Sequence, residues 1–299
     1  MKHLIFGAGG FLGSTLMKHL QQAGEEVYAV RRTPRDGAYA VDITQPKAFK
    51  DIGVLPDVIM NCASALPDPA QGFSSPDDLR RLYEANVIGG ANIMNWAAAN
   101  GVKKVINCST LVVVGKPWPV PLKETASTYP MGNHVGYSAS KLAQEVVMSS
   151  VAAQHNIEVL HLRISALYGP GMKEGGILTK LLKQAQHKEK ISLTNGNKVS
   201  FDFLHVEDAA RAICHIARMR SWPDKIINLA SGEEVSLLAL AESLCELTGN
   251  PIENILNTDE AVSASRAVVD TTLLEKYLAG SNISTRPFTE KVKSMVFPT

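Results

Sequence analysis

Leu4-Ile5-Phe6-Gly7-Ala8-Gly9-Gly10-Phe11-Leu12-Gly13 stands at the head of the chain and decides its fold. An apolar run that breaks into glycines and resumes as an amphipathic stretch reads as strand, tight turn and helix. Glycine at 7, 10 and 13 permits the tight turn, lets a pyrophosphate approach the backbone, and lets the helix pack close on the strand. The helix N-terminus offers N–H groups without intrahelical partners, so they and the helix dipole favour a phosphate, with Phe11, Leu12 and Gly13 beside it as candidate cofactor contacts. A glycine pattern alone is weak. Its strand–turn–helix setting at the chain head is the context that a dinucleotide-binding motif requires.

Working outward, short β-like runs alternate with helical stretches over the first two-thirds of the chain. Residues 27–30, 39–41, 58–60, 105–108 and 159–162 read as strands, and 14–22 and 76–100 as helices. Ser75 suits the N-cap of the long helix, Pro76 its first position and Gly101 its stop. This alternation predicts an α/β chain with a doubly wound parallel (Rossmann) sheet over residues 1–165. After Gly169-Pro170-Gly171 the rhythm changes to helical pieces at 177–187, 206–219, 237–248 and 289–296 among short strands. Residues 166–202 and 231–299 are expected to form a smaller C-terminal α+β lobe that completes a substrate cleft. The segment at about 203–230, with a strand at Ile226–Leu229, is expected to return to the first domain.

Composition narrows the function classes. The chain has 299 residues, 45% hydrophobic and 20% charged, enough for a full core. A net charge of +1 gives no electrostatic case for nucleic acid or an anionic membrane. Cys62, Cys108, Cys214 and Cys245 lie far apart, with no metal-ligand spacing, so no metal is expected and reduced core thiols are. Met1-Lys2-His3 leads into an apolar run too short for a signal peptide, and no run approaches the roughly 18–20 residues of a membrane span. The cytoplasm is the expected compartment, and a small molecule the expected partner.

Two stretches carry chemistry. At the end of the second strand an acidic residue would hold the ribose hydroxyls, but Arg31-Arg32 stand there. Arginine pairs well with phosphate through its planar fork, which favours NADP(H) over NAD(H). Asp42-Ile43, after the third strand, can meet the adenine edge and face. Tyr137-Ser138-Ala139-Ser140-Lys141 opens a helix that continues through Leu142, Val146, Val147 and Val151. That spacing sets phenol and ammonium about 5–6 Å apart on one helix face. A phenol of pKa about 10 is a poor base at neutral pH, and a neighbouring cation favours its phenolate. Lowering the pKa by ~3 units needs roughly 4 kcal/mol, attainable in a partly dry cleft. Ser109-Thr110, at the end of the fifth strand, adds a hydroxyl that can hold a substrate oxygen.

These pieces resemble the extended short-chain dehydrogenase/reductase family, in its NAD(P)-dependent epimerase/dehydratase group. The marks are Gly7-x-x-Gly10-x-x-Gly13, Asp42, Pro56-Asp57-Val58-Ile59, Asn61-Cys62-Ala63 and Glu84-Ala85-Asn86-Val87-Ile88-Gly89. Further marks are Tyr137-x-x-x-Lys141, Leu162-Arg163, Tyr168-Gly169-Pro170-Gly171 and Asp202-Phe203-Leu204-His205-Val206-Glu207-Asp208. The resemblance implies Tyr137 as acid/base, Lys141 on the nicotinamide ribose, Thr110 as third member and Asn86 as a support of the site. It implies Cys62, Ala63, Ser64 and Ile164 along the cofactor, and Ala65, Thr110, Ala166, Phe201 and Arg266 around the substrate. It also implies a homodimer through the long helix before Gly101 and the Tyr137 helix.

Departures bear on the substrate. Nucleotide-sugar members usually carry an asparagine where Ala166 stands, and a diphosphate-gripping arginine where Phe201 stands. Arg266 is left as a source of one phosphate contact. Leu111-Val112 replace the acidic pair of 4,6-dehydratases, and Val112 also replaces the second-base cysteine of 3,5-epimerase/reductases. The leading expectation is an NAD(P)-dependent oxidoreductase or epimerase acting on a hydroxyl or ketone carbon of a sugar or nucleotide sugar. An NADPH-dependent reductase of a non-nucleotide carbonyl compound and a catalytically silent NAD(P)-binding regulatory protein are the alternatives.

Overall fold

β1 (Lys2–Phe6) pairs in parallel with β2 (Glu26–Arg31) on one side and with β4 (Val58–Asn61) on the other, so the winding reverses at this strand. The computed structural model describes residues 1–68, 75–132, 134–261, 265–285 and 287–297. With β3 (Ala38–Ala40), β5 (Lys104–Thr110), β6 (Glu158–Ile164) and β10 (Ile226–Leu229), the sheet has seven strands in the order β10-β6-β5-β4-β1-β2-β3. Every pairing within it is parallel. A doubly wound sheet opens a crevice at such a reversal, beyond the carboxyl ends of the strands.

Period-two alternation covers both faces. Ile5, Val58, Met60, Ile106 and Leu160 pack with Leu12, Leu16 and Leu20 of α1 (Phe11–Gln22) and with Ala209 and Ile213 of α6 (Val206–Ala217). Leu4, Phe6, Ile59, Val105 and Val159 point the other way, onto Ile93 and Met94 of α3 (Gly89–Ala99) and Met148 of α4 (Val135–His155). Strands buried on both faces read as continuous apolar runs, as these do.

The rest of the chain builds a separate core. β7 (Ala166–Tyr168), β9 (Ser200–His205) and β11 (Glu234–Ser236) form a three-stranded sheet, and β8 (Ile191–Thr194) pairs with β12 (Ile255–Thr258). α5 (Ile177–Gln186) and α7 (Leu237–Thr248) cover them, and Tyr168, Phe203 and Phe288 meet at ring-centroid distances of 5.2–6.1 Å. α8 (Thr272–Tyr277) reaches back to the large sheet through Leu274 and Tyr277, and α9 (Phe288–Lys291) and α10 (Lys293–Val296) close the small core.

Three elements differ from the sequence reading. Residues up to His205 stay in the three-stranded sheet as β9, and the chain returns to the large sheet only with α6 and β10. The helical segment 289–296 is two short helices, α9 and α10. The long segment 76–100 is α2 (Pro76–Tyr83) and α3 joined by a π-helical turn, Glu84–Ile88. That wide turn points the fully buried Asn86 inward. Gly89 and Gly90 follow it because neighbours press in: a Cβ on Gly89 would lie 2.6 Å from Cδ1 of Ile43.

Candidate active site

Gly7 and Gly13 of the loop are pressed against backbone. Gly7 has φ +79°, and a Cβ there would lie 2.6 Å from the Ala63 nitrogen; a Cβ on Gly13 would lie 2.2 Å from the Gly7 carbonyl oxygen. α1 starts at Phe11, earlier than read, because the extended Gly10 serves as its N-cap. No side chain caps it and no acidic residue occupies its first turn, so its free N–H groups suit an anion. Beyond the loop opens a cavity of about 920 Å³, whose lining includes Gly10, Arg31, Arg32, Arg35, Ile43 and Cys62. Its walls also hold Gly7, Asp42, Ala63, Ser64 and Ala65. The Arg31 guanidinium lies over the loop, where a Cβ on Gly9 would come within 2.4 Å of its Nη2. Asp42 turns its carboxylate to Thr44, accepting from the Thr44 N–H at 3.0 Å and hydroxyl at 2.9 Å. Bare glycines, an uncapped helix start and a large groove lined by several cations fit a dinucleotide.

Tyr137 and Lys141 rise from the first turns of α4 beside the ends of β4 and β5. Burial pushes the Tyr137 phenol up to about 12, while hydrogen bonds from the Ser64 and Thr110 hydroxyls oppose that rise. Lys141 is 1% exposed. Its Nζ donates to the Cys108 carbonyl at 2.8 Å and also to Oε1 of Gln144. Burial pushes this ammonium down to about 8. Gln144 in turn donates to the Asn86 carbonyl at 2.7 Å. Asn86 accepts from the Ser64 hydroxyl at 3.0 Å and the Ala65 N–H at 2.8 Å, and donates to Ser140 at 2.9 Å. One hydrogen-bonded web therefore ties the phenol, the ammonium and the loop after β4.

A lysine depressed by burial links stability to pH. Between about 8 and its ordinary value of 10.5, the folded state has released the Lys141 proton that the unfolded state still binds. Wild-type stability should therefore rise relative to Lys141→Met as pH climbs through that window, read by urea unfolding of both. A constant difference between them would contradict the assigned burial cost.

The remaining predicted residues fall at different depths. Ile164 ends β6 as the register partner of Thr110, under the cleft. Ala166 is exposed at the start of β7. Phe201 stacks on Phe203 at 5.4 Å, and the Lys116 ammonium sits 5.8 Å from its ring and 4.8 Å from that of Trp118. Arg266 does not stand free: its guanidinium forks onto Glu234 at 2.6 and 2.9 Å.

Sequence reasoning missed Gln144 and Glu145, and noted Arg163 only as a family mark, without a role. Glu145, one turn beyond Lys141, receives Arg163 of β6 at 2.8 and 3.2 Å and also Ser109, with both ionic groups buried. The available signal was a charged residue inside an apolar strand, which requires a partner.

Residues 3–230 match the model of the NAD dependent epimerase/dehydratase family. The chain belongs to that family. It is thus an enzyme of the NAD-dependent epimerase/dehydratase kind. It is 26% identical over 283 residues to a UDP-glucose 4-epimerase of Streptomyces lividans, covering 85% of this chain and 83% of that one. It is 25% identical over 289 residues to a dTDP-4-dehydro-6-deoxy-D-allose reductase of a Streptomyces species, covering 89% and 87%. In fold it is similar to the UDP-N-acetylglucosamine 4-epimerase of Bacillus cereus, with a TM-score of 0.82 at 20% identity over 99% of this chain and 95% of that one. Among the described residues, no helix of this family member is long and apolar enough to cross a membrane.

Proposed function

We propose that the protein is an NADP(H)-dependent oxidoreductase or epimerase acting on a hydroxyl or ketone carbon of a sugar or nucleotide sugar. The observation that carries this reading is the pair of hydroxyls, Ser64 and Thr110, hydrogen-bonded to the Tyr137 phenol, with Lys141 one helical turn on and Ser64 on the wall of the groove. When bound, the nicotinamide group supplies or accepts the hydride. Tyr137 gives its proton to the carbonyl oxygen during reduction and takes it back from the hydroxyl during oxidation. Thr110 and Ser64 hold that oxygen in line, and Lys141 stabilises the phenolate through its charge. With its phenol held protonated by burial, the free protein is poised to donate. Family relatives that act on nucleotide sugars support the substrate class. The Phe201 and Ala166 positions, with Lys116 nearby, imply a grip on the substrate different from the usual arginine and asparagine.

A panel of UDP- and dTDP-sugars, assayed for isomer formation and for NADPH consumption, tests this reading. Turnover of none of them, with turnover of simple ketones instead, would refute the sugar assignment. Arg31, Arg32 and Arg35 around the groove support NADP(H). Losing a charged hydrogen bond costs about 1.5–3 kcal/mol, so Arg31→Ser with Arg32→Ser should weaken NADPH binding by at least ~10-fold. NADH binding should barely change; wild-type protein that binds NADH more tightly than NADPH would overturn the preference.

Tyr83, Ile88 and Val146 are 40%, 50% and 62% exposed on the helical layer of α2, its π-turn and α4. Such an apolar face supports a homodimer built through these helices. Light scattering should give twice the chain mass for wild type and a single chain mass for Ile88→Asp/Val146→Asp. A monomeric wild type would remove this interface.

A further inference from the structure

Cys62 and Cys108 follow Asn61 and Asn107, which are register partners on β4 and β5. Both thiols therefore leave the same face of neighbouring parallel strands, and their sulfurs stand 3.5 Å apart. Paired strands lie about 4.8 Å apart, inside the Cα spacing that a disulfide spans. Cys62 is partly exposed and lines the large groove, the side from which a small oxidant would approach. We propose that Cys62 and Cys108 form an oxidation-sensitive dithiol that closes to a disulfide when the cofactor groove is empty. The cofactor dependence rests on the reading of the groove given above; the thiol geometry does not.

With hydrogen peroxide as oxidant the step balances. One cysteine, as thiolate, attacks a peroxide oxygen; the O–O bond breaks, the departing hydroxide takes a proton, and a sulfenic acid remains. The second sulfur attacks the sulfenyl sulfur, forms the S–S bond and expels a second water. The two thiols lose two protons and two electrons in all, and the peroxide becomes two waters. Hydrogen bonding to Cys108, then burial, hold the Cys62 thiol protonated, so oxidation quickens as pH rises.

Closure reaches the site through two contacts. Bringing the sulfurs from 3.5 Å to about 2.05 Å draws together the ends of β4 and β5. The Cys108 carbonyl anchors Lys141, and Ala63, next to Cys62, abuts Gly7 so closely that a Cβ there would lie 2.6 Å from its nitrogen.

The test oxidises the full-length, cofactor-stripped protein with hydrogen peroxide at neutral and mildly alkaline pH, with and without saturating NADPH or NADH. Remaining thiols are alkylated in denaturant, and peptides are weighed. A peptide pair joined through Cys62 and Cys108, lighter by two hydrogens and absent in Cys108→Ser, is expected. Cofactor affinity should fall by about ten-fold or more, since a ~1 Å displacement of a positioned group has effects of that order. Dithiothreitol should restore it. If only the empty groove reacts, cofactor at 100 times its Kd should slow closure about 100-fold. Four alkylatable cysteines after treatment, a sulfinic acid in place of the cross-link, or equal rates with and without bound cofactor overturn the proposal. Equal loss of affinity in Cys108→Ser does so too. Failure to bind either nicotinamide cofactor refutes the groove assignment instead, and the cross-linked mass still decides the dithiol.

Discussion

Tyr137→Phe is expected to lower kcat by about 10²–10⁴-fold, the range over which a positioned general acid or base acts. NADPH affinity should remain near that of wild type, because the glycine loop proposed to hold the dinucleotide lies outside the phenol's contacts, which meet the groove wall at Ser64. Two measurements separate these outcomes: fluorescence titration with the cofactor, and turnover with the best substrate of the panel. A Tyr137→Phe variant with wild-type turnover would sink the proton-transfer assignment. Loss of cofactor binding in step with turnover would make Tyr137 a structural residue. Thr110→Val should be milder, since Ser64 also reaches the phenol.

Arg163→Leu should be the most destabilising single change outside the glycine loop. The arginine and Glu145 are 3% and 4% exposed, so removing the cation leaves a carboxylate buried with only the Ser109 hydroxyl. Breaking such a pair costs about 3–5 kcal/mol, a large share of the ~5–15 kcal/mol that holds a typical protein folded. In a domain of this size that lowers Tm by on the order of 10 °C. Adding Glu145→Leu should return part of the loss, because an apolar replacement of both partners leaves no orphaned charge. Equal destabilisation in the single and double variants would show that the pair is not the source. The pair also fixes α4 against β5 and β6, so Arg163→Leu should raise KM and lower kcat together even well below its Tm.

How far the sequence could be read depended on the range of the contacts. The glycine loop, the strands of the large sheet and the Tyr137/Lys141 face are set by neighbours a few residues away, and each left a local pattern. Ile226–Leu229 was legible as a returning strand because its apolar run lacks helical periodicity. The π-turn was not, since Glu84 to Ile88 fits an ordinary helix and only the pull of Ala65 and Ser140 on Asn86 favours the wide turn. Gln144 was hidden for a similar reason: a glutamine on a helix is ordinary until Lys141 and the Asn86 carbonyl are brought to it. The Arg266 ion pair was hidden too, because its partner Glu234 lies 32 positions away on β11.

Across the middle of the large sheet runs one polar row. Asn61 donates to Asn107 at 3.0 Å, Asn107 meets His161 at 3.1 Å, and His161 meets Ser149 of α4 at 2.9 Å. The first three are register partners on β4, β5 and β6, and burial pushes His161 down to about 4, so it stays neutral at physiological pH. Apolar strands slide past one another at little cost, because one valine or isoleucine replaces the next. This row removes that freedom. A two-residue slip of β5 would keep its apolar faces inward yet leave asparagine and histidine unpaired, at about 1–3 kcal/mol for each group. The row thus acts as an alignment key during folding, selecting the one strand offset that sets Thr110 level with the phenol.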